Sequence, residues 1–134
     1  MRHCFVDTSA FYAVLDADEK NHDRACPVWE ELIGTDALMV TTSYVLVETS
    51  ALLQHRLGLE AVQTFQEDIY PLLSVEWLGA DTHETGMAAM LTAHRKRLSL
   101  VDCISFDVMR RRKLRHAFVF DAHFAEQGFQ CLPG

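Results

Sequence analysis

Short apolar runs alternate with longer amphipathic segments along the chain of 134 residues. The runs at residues 2–9, 37–41, 74–78 and 117–120 predict short strands. The segments between them repeat apolar positions every three or four residues, which predicts helices. Strands that alternate with helices are typical of an α/β fold. We therefore expect a three-layer sandwich with a central, mainly parallel sheet flanked by helices.

Capping and breaking residues predict where several helices begin and end. Thr42 or Ser43 is expected to cap a helix that runs to residue 57, and Gly58 is expected to end it. A further helix is expected over residues 59–70, because Pro71 follows its last turn. Other helices are expected over residues 10–15, 22–33, 81–95 and 99–112.

The composition is that of one globular domain, which we expect to span residues 1–134. No apolar run approaches the roughly 20 residues that a membrane-spanning helix needs. A signal peptide has an uninterrupted apolar region, whereas Asp7 interrupts the first apolar run of this chain. We therefore expect a cytoplasmic protein without a membrane partner. The four cysteines are scattered without a Cys-x-x-Cys pair, and free thiols are expected at Cys4, Cys26, Cys103 and Cys131.

The charge of the chain is distributed unevenly. The formal net charge is −7, which by itself argues against a nucleic-acid partner. However, eight basic and only two acidic residues lie between Arg95 and Arg115. This segment indicates a basic rim beside acidic clusters, or else a solvated helix face that happens to be basic.

Two acidic residues follow predicted strands directly. Asp7 ends the first strand, Asp121 ends the strand at residues 117–120, and a helical turn follows each of them. The carboxyl ends of parallel strands meet at one edge of a sheet, where ligands bind in open α/β folds. We therefore expect both carboxylates at that edge, although Asp7 alone could simply mark the start of a helix.

Glu48 lies on a helix face that is expected to be apolar. Tyr44, Ala51 and Leu52 occupy the same face at offsets of three and four residues, so Glu48 interrupts a stripe that should pack inward. An ionised glutamate in such a place is costly unless a cation accompanies it. A metal ion is the favoured partner, and an arginine from elsewhere in the core is the alternative.

Asp102 has two compatible interpretations. The spacing Ser99-x-x-Asp102 is that of a capping box, which would begin a helix. A carboxylate in the first helical turn can cap the backbone and still face a ligand. Asp107 lies about 140° further round the helix, so we leave it out of the site.

A cluster of carboxylates needs positive charge to offset mutual repulsion and burial, both of which raise the pKa of each carboxyl group. Mg²⁺ or Mn²⁺ meets this need, because these cations take oxygen ligands. Such an ion activates water and offsets charge on a phosphoryl oxygen. A ligand set of oxygens without histidine argues against zinc and for phosphodiester chemistry.

The acidic positions fall in segments that resemble, in order, the motifs of PIN-domain nucleases, and within that group those of VapC-type toxins. Residues 6–9 resemble the opening motif, and Glu48 falls at the helical glutamate of the family. Residues 98–106 resemble the third motif and residues 118–124 the fourth. The resemblance covers nearly the whole chain, with one departure: Val119 stands where the family commonly has Thr or Ser.

This resemblance implies that Asp7, Glu48, Asp102 and Asp121 gather at the carboxyl edge of the sheet as catalytic residues and ligands of Mg²⁺ or Mn²⁺. It also implies endonucleolytic cleavage of RNA, a homodimer, and an antitoxin that blocks the site. The basic residues between Arg95 and Arg115 would then hold the RNA backbone, since phosphate contacts give position without sequence.

Three alternatives to a toxin stay open. The chain could be a PIN nuclease that acts without an antitoxin. It could also be a catalytically weak PIN module that binds RNA or a protein, for which Val119 is the only hint. A receiver-like phosphotransfer domain also places acids at strand ends, but it requires paired acids after the first strand and a lysine after a late strand. Here Asp7 is single, and no lysine follows Asp121.

Overall fold

The computed structural model describes residues 2–134, in which five strands form a sheet whose pairings are all parallel. The strands are β1 His3–Val6, β2 Leu38–Thr42, β3 Leu73–Glu76, β4 His116–Phe118 and β5 Gln130–Leu132. They lie in the order β3-β2-β1-β4-β5 across the sheet. Because β1 is the central strand, the chain leaves it at the middle of the carboxyl edge.

Seven α-helices in the described residues flank this sheet, which confirms the predicted α/β sandwich. They are α1 Thr8–Leu15, α2 His22–Gly34, α3 Ser43–Leu57, α4 Leu59–Thr64, α5 Ala80–Ala93, α6 Leu100–Arg111 and α7 Ala122–Glu126. The cap and stop expected for α3 are both present. The Thr42 hydroxyl accepts a hydrogen bond from the backbone N–H of Val45 at 3.1 Å, and Gly58 ends the helix with φ of 94°.

The single helix predicted over residues 59–70 is wrong. The α-helix ends at Thr64, a π-helical turn follows at Phe65–Ile69, and a 3₁₀ turn follows at Tyr70–Leu72. Pro71 has no N–H to donate to the carbonyl of Glu67, so regular α-helical bonding cannot continue through it. The helix is therefore wider in the π-helical turn before Pro71 and narrower in the 3₁₀ turn that contains this proline.

The fourth strand is shorter than predicted. Strand β4 ends at Phe118 rather than at residue 120, and Asp121 follows it by three residues. The backbone N–H of Phe120 donates to the Ser9 hydroxyl at 2.9 Å, and the N–H of Val119 donates to the Leu132 carbonyl at 3.1 Å. The segment before Asp121 therefore bonds to α1 and β5.

The core covers both faces of the central strand. Cys4, Phe5 and Val6 are fully buried, as expected for a strand covered by helices on both sides. All four cysteines are free thiols, and burial raises the pKa of the Cys4 thiol to about 12. In residues 2–134, no helix has the length and apolar character needed to cross a membrane.

Gly86 sets the close approach of α5 to α6. It is buried, and a Cβ atom there would lie 2.4 Å from Cγ1 of the fully buried Ile104. We expect Gly86→Val to lower the free energy of unfolding by about 2–3 kcal/mol, because a tightly packed core resists added volume. Urea denaturation measures this change. Gly34→Val is the matched control, since a Cβ at Gly34 meets no atom within 4 Å, and an equal loss there would contradict the explanation.

Candidate metal centre

Asp7 both caps α1 and faces the carboxyl edge of the sheet. Its Oδ2 accepts hydrogen bonds from the Ser9 N–H at 3.1 Å and from the Ser9 hydroxyl at 2.8 Å. The same hydroxyl accepts from the N–H of Phe120, and the N–H of Asp7 donates to the Phe118 carbonyl at 3.1 Å. Ser9 therefore fixes the Asp7 carboxylate and also joins α1 to the segment that leads to Asp121.

The environment of Asp7 disfavours its negative charge. The residue is 5% exposed, and this burial raises the pKa of Asp7 to about 7, against the lowering effect of the Ser9 hydrogen bonds. The negative charges of Asp102 and Glu48 raise that pKa further. The charges of Asp102 and Glu48 therefore lie near enough to Asp7 to disfavour its ionised form.

Asp102 forms the predicted capping box and belongs to the same cluster. Its backbone N–H donates to the Ser99 hydroxyl at 3.0 Å, and its Oδ2 accepts from the Ser99 N–H at 3.3 Å. Burial raises the pKa of Asp102, and the neighbouring charge of Asp121 raises it further. One end of α6 therefore presents a buried carboxylate that is capped and still close to another acid.

Glu48 is only half-buried, and the apolar stripe predicted around it is only partly present. Tyr44 and Leu52 pack partly buried against the core, but Ala51 is exposed. The fully inward face of α3 consists of Val45, Leu46, Thr49 and Leu53. The Thr49 hydroxyl donates to the Thr8 hydroxyl at 3.0 Å, which ties α3 to α1 beside Asp7. Glu48 therefore lies at the border of the core, where it is close to Asp7 and reachable by solvent.

Asp121 lies beside His123, a residue that was not predicted as part of the site. Asp121 caps α7, and its Oδ1 accepts a hydrogen bond from the backbone N–H of His123 at 2.8 Å. The His123 Nε2 atom lies 3.9 Å from the same carboxylate oxygen. One potential ligand atom from each of Asp102, Asp121 and His123 lies within 4.8 Å of the others. The capping turn that begins at Asp121 was the signal for this proximity.

The acidic cluster has no lysine or arginine to balance it in the part of the chain that the structure describes. Within residues 2–134, no lysine or arginine forms a salt bridge with Asp7, Glu48, Asp102 or Asp121. The core arginine considered as a partner for Glu48 is therefore not found there. Buried carboxylates without a cationic partner are unfavourable, and their oxygens fit a divalent cation such as Mg²⁺ or Mn²⁺.

The basic residues form two groups, which corrects the expectation of one basic rim. Residues 95–97 lie in the loop just before Ser99, at the site end of α6. Residues 110–115 lie at its other end, roughly 16 Å away at 1.5 Å per residue. There, Arg111 pairs with Glu76 at 2.9 Å and with Asp107 at 2.9 Å. Only the first group is placed beside the acidic cluster.

This strand order and the carboxylates at the sheet edge agree with the resemblance noted in the sequence. The chain belongs to the PIN domain family, whose model matches residues 4–130. Two similar relatives, from two strains of Mycobacterium tuberculosis, are each named 23S rRNA-specific endonuclease VapC20. Each is 32% identical over 126 residues, which cover 93% of this chain and 94% of the relative. The crystal structure of M. tuberculosis VapC20, described as a sarcin-ricin loop cleaving toxin, matches with a TM-score of 0.81. Its sequence is 30% identical, and the match covers 94% of this chain and 95% of that one.

Proposed function

We propose that this protein is a metal-dependent endoribonuclease and the toxin of a toxin–antitoxin pair. The observation that carries the proposal is the buried Asp7, which lies within the influence of the Asp102 and Glu48 charges and has no lysine or arginine partner in residues 2–134. Membership of the PIN family and similarity to an rRNA endonuclease support RNA as the substrate class. The proposal includes a cytoplasmic location, where such a substrate lies.

The four carboxylates have distinct parts in the proposed site. Asp7 and Asp102, both buried, would hold Mg²⁺ or Mn²⁺ together with Asp121 and Glu48. When bound, the ion supplies Lewis-acid chemistry that activates water and offsets charge on the phosphoryl group. Glu48 and Asp121 are partly exposed, and one of them would also accept the proton of the attacking water. Ser9 holds the Asp7 carboxylate in a fixed orientation through its two hydrogen bonds.

The proposal is tested by cleavage of single-stranded RNA with the purified protein. One substrate is an oligonucleotide of the sarcin-ricin loop, the target named for VapC20, and another is an unrelated RNA. We expect cleavage with Mg²⁺ or Mn²⁺ and none with EDTA. Cleavage that EDTA does not inhibit would contradict the proposal. Preferential cleavage of the sarcin-ricin loop would show that this chain shares the substrate specificity of VapC20. Equal cleavage of both RNAs would show that it shares only the type of reaction.

The loop at residues 95–97 is proposed to contact the RNA backbone. Lys96 and Arg97 are exposed and lie next to the Ser99–Asp102 capping box. We expect their double replacement by alanine to raise KM about tenfold and to reduce the salt dependence of binding, because each lost phosphate contact weakens association. The matched control replaces Lys113 and Arg115, at the far end of α6. An equal effect of both double variants would show that net charge, not position, matters.

A protein partner is proposed for the apolar surface beside Glu48. Val47 is 70% exposed and Trp77 is 67% exposed, and they line a common groove with Tyr70. An antitoxin that covers this surface would block the carboxylates, and a second copy of the chain could form the proposed homodimer there. Light scattering of the purified chain reports the dimer. A small upstream reading frame with a DNA-binding N-terminus would identify the antitoxin, and its absence would favour a nuclease that acts alone.

A further inference from the structure

The geometry points to His123 as an additional ligand of the metal centre, one whose imidazole nitrogen gives the site a preference for Mn²⁺ over Mg²⁺. This inference rests on the proposed function, because it concerns the ion that the same carboxylates would hold. It differs from the oxygen-only site expected from the sequence. Three features of the α6–α7 corner support it.

The first feature is the distance between the candidate ligand atoms. One atom each from Asp102, Asp121 and His123 fall within 4.8 Å of one another, and His123 Nε2 lies 3.9 Å from Asp121 Oδ1. In octahedral coordination with bonds of about 2.1 Å, adjacent ligands lie about 3 Å apart and opposite ligands about 4.2 Å apart. The three ligand atoms are therefore spaced only somewhat more widely than the ligands of a single ion.

The second feature is the carboxylate behind the imidazole. His123 Nδ1 is buried and has no hydrogen-bond partner among residues 2–134, and Glu126 Oε2 lies 3.6 Å from it. A histidine that binds a metal usually donates its other ring N–H to a carboxylate. Glu126 is placed for that role, and with the proton on Nδ1 the lone pair of Nε2 faces Asp121.

The third feature is the restraint on Glu126. The Arg95 Nη1 atom donates to Glu126 Oε2 at 2.9 Å, and it keeps the pKa of this carboxyl below its ordinary value. Arg95, Glu126, His123 and Asp121 thus form a chain of contacts that leads into the acidic cluster. This basic residue of the loop at 95–97 therefore supports the metal centre from behind.

An ion pair alone leaves the ring nitrogens of His123 without a hydrogen bond. They lie 3.9 Å from Asp121 and 3.6 Å from Glu126, which is within ion-pair distance for a protonated imidazole but beyond hydrogen-bond distance. An ion held by His123 and the two aspartates would give Nε2 a partner and leave the proton on Nδ1. Imidazole is a common ligand of first-row transition metals, whereas Mg²⁺ prefers oxygen, so the expected consequence is selectivity for Mn²⁺.

Metal binding to the purified protein tests this inference without relying on activity. Titration calorimetry with MnCl₂ and with MgCl₂ is carried out on the parent, on His123→Ala and on the control His55→Ala, which changes an exposed histidine of α3. We expect His123→Ala to weaken Mn²⁺ binding at least tenfold and Mg²⁺ binding less than threefold. Pulsed EPR of bound Mn²⁺ should show coupling to ¹⁴N in the parent and in His55→Ala, and should lose it in His123→Ala.

A second variant keeps the inference testable if His123→Ala folds poorly. Glu126→Ala leaves the imidazole in place, and we expect it to weaken Mn²⁺ binding up to tenfold, with little effect on Mg²⁺. Equal weakening of both ions in His123→Ala, or a parent spectrum without ¹⁴N coupling, would overturn the inference. A parent that cleaves RNA without such coupling refutes only the histidine ligand. A parent that shows the coupling but cleaves no RNA refutes only the proposed function.

Discussion

Asp7→Asn is expected to abolish metal-dependent RNA cleavage while leaving the fold intact. The asparagine side chain can still accept the hydrogen bonds that Ser9 donates to Asp7, so the capping of α1 survives. Its neutral oxygen is a much weaker ligand for a divalent cation. A bound metal supplies several kcal/mol of transition-state stabilisation, so we expect kcat/KM to fall on the order of 1,000-fold.

Asp107→Asn is the matched control for this loss. It removes the same charge from an aspartate of α6 that pairs with Arg111 at 2.9 Å, outside the acidic cluster. Cleavage by Asp107→Asn should stay within about twofold of the parent, because exposed ion pairs contribute little. Metal-dependent cleavage that persists undiminished in Asp7→Asn would indicate a contaminating nuclease or a different site.

The metal-free protein is expected to lose stability as the pH rises from about 4 to about 8. The pKa of Asp7 is raised from an ordinary 3.8 to about 7 by burial and then by the neighbouring carboxylates, so the folded state binds this proton more tightly than the unfolded state does. The resulting stabilisation is complete below the unfolded pKa and is lost as the pH rises through the folded pKa. At 1.36 kcal/mol per pKa unit, the loss is at most about 4 kcal/mol.

The acidic residues whose positions depend on local structure were predictable from the sequence. Asp7 follows a short apolar run and precedes a helix, and these local features place its carboxylate at the carboxyl edge of the sheet. Asp102 was predictable because a capping box is a local pattern of four residues. Asp121 was predicted at the same edge, although its strand ends two residues earlier than expected.

Other features depend on contacts between distant segments, which one sequence does not reveal. The helical periodicity around Glu48 predicts α3 itself. Which face of α3 turns toward the core, however, depends on what Val45, Thr49 and Leu53 pack against. The proximity of His123 to Asp102 depends on how α6 packs against α7. By contrast, the separation of the two basic groups was available from the predicted helix length, since each helical residue advances the chain by 1.5 Å.

Thermal unfolding as a function of pH, with EDTA or with Mn²⁺, measures the stability effect of Asp7. Without metal, we expect the parent and Asp7→Asn to have equal Tm near pH 4, and the variant to exceed the parent by roughly 10 °C near pH 8. Mn²⁺ should narrow or reverse this gap, because a cation that binds the ionised carboxylates stabilises the parent most where they are ionised. Comparison with the variant isolates Asp7 from the other titrating groups. Parallel profiles of the two proteins in EDTA would contradict the raised pKa of Asp7, and a gap that Mn²⁺ leaves unchanged would contradict its role as a ligand.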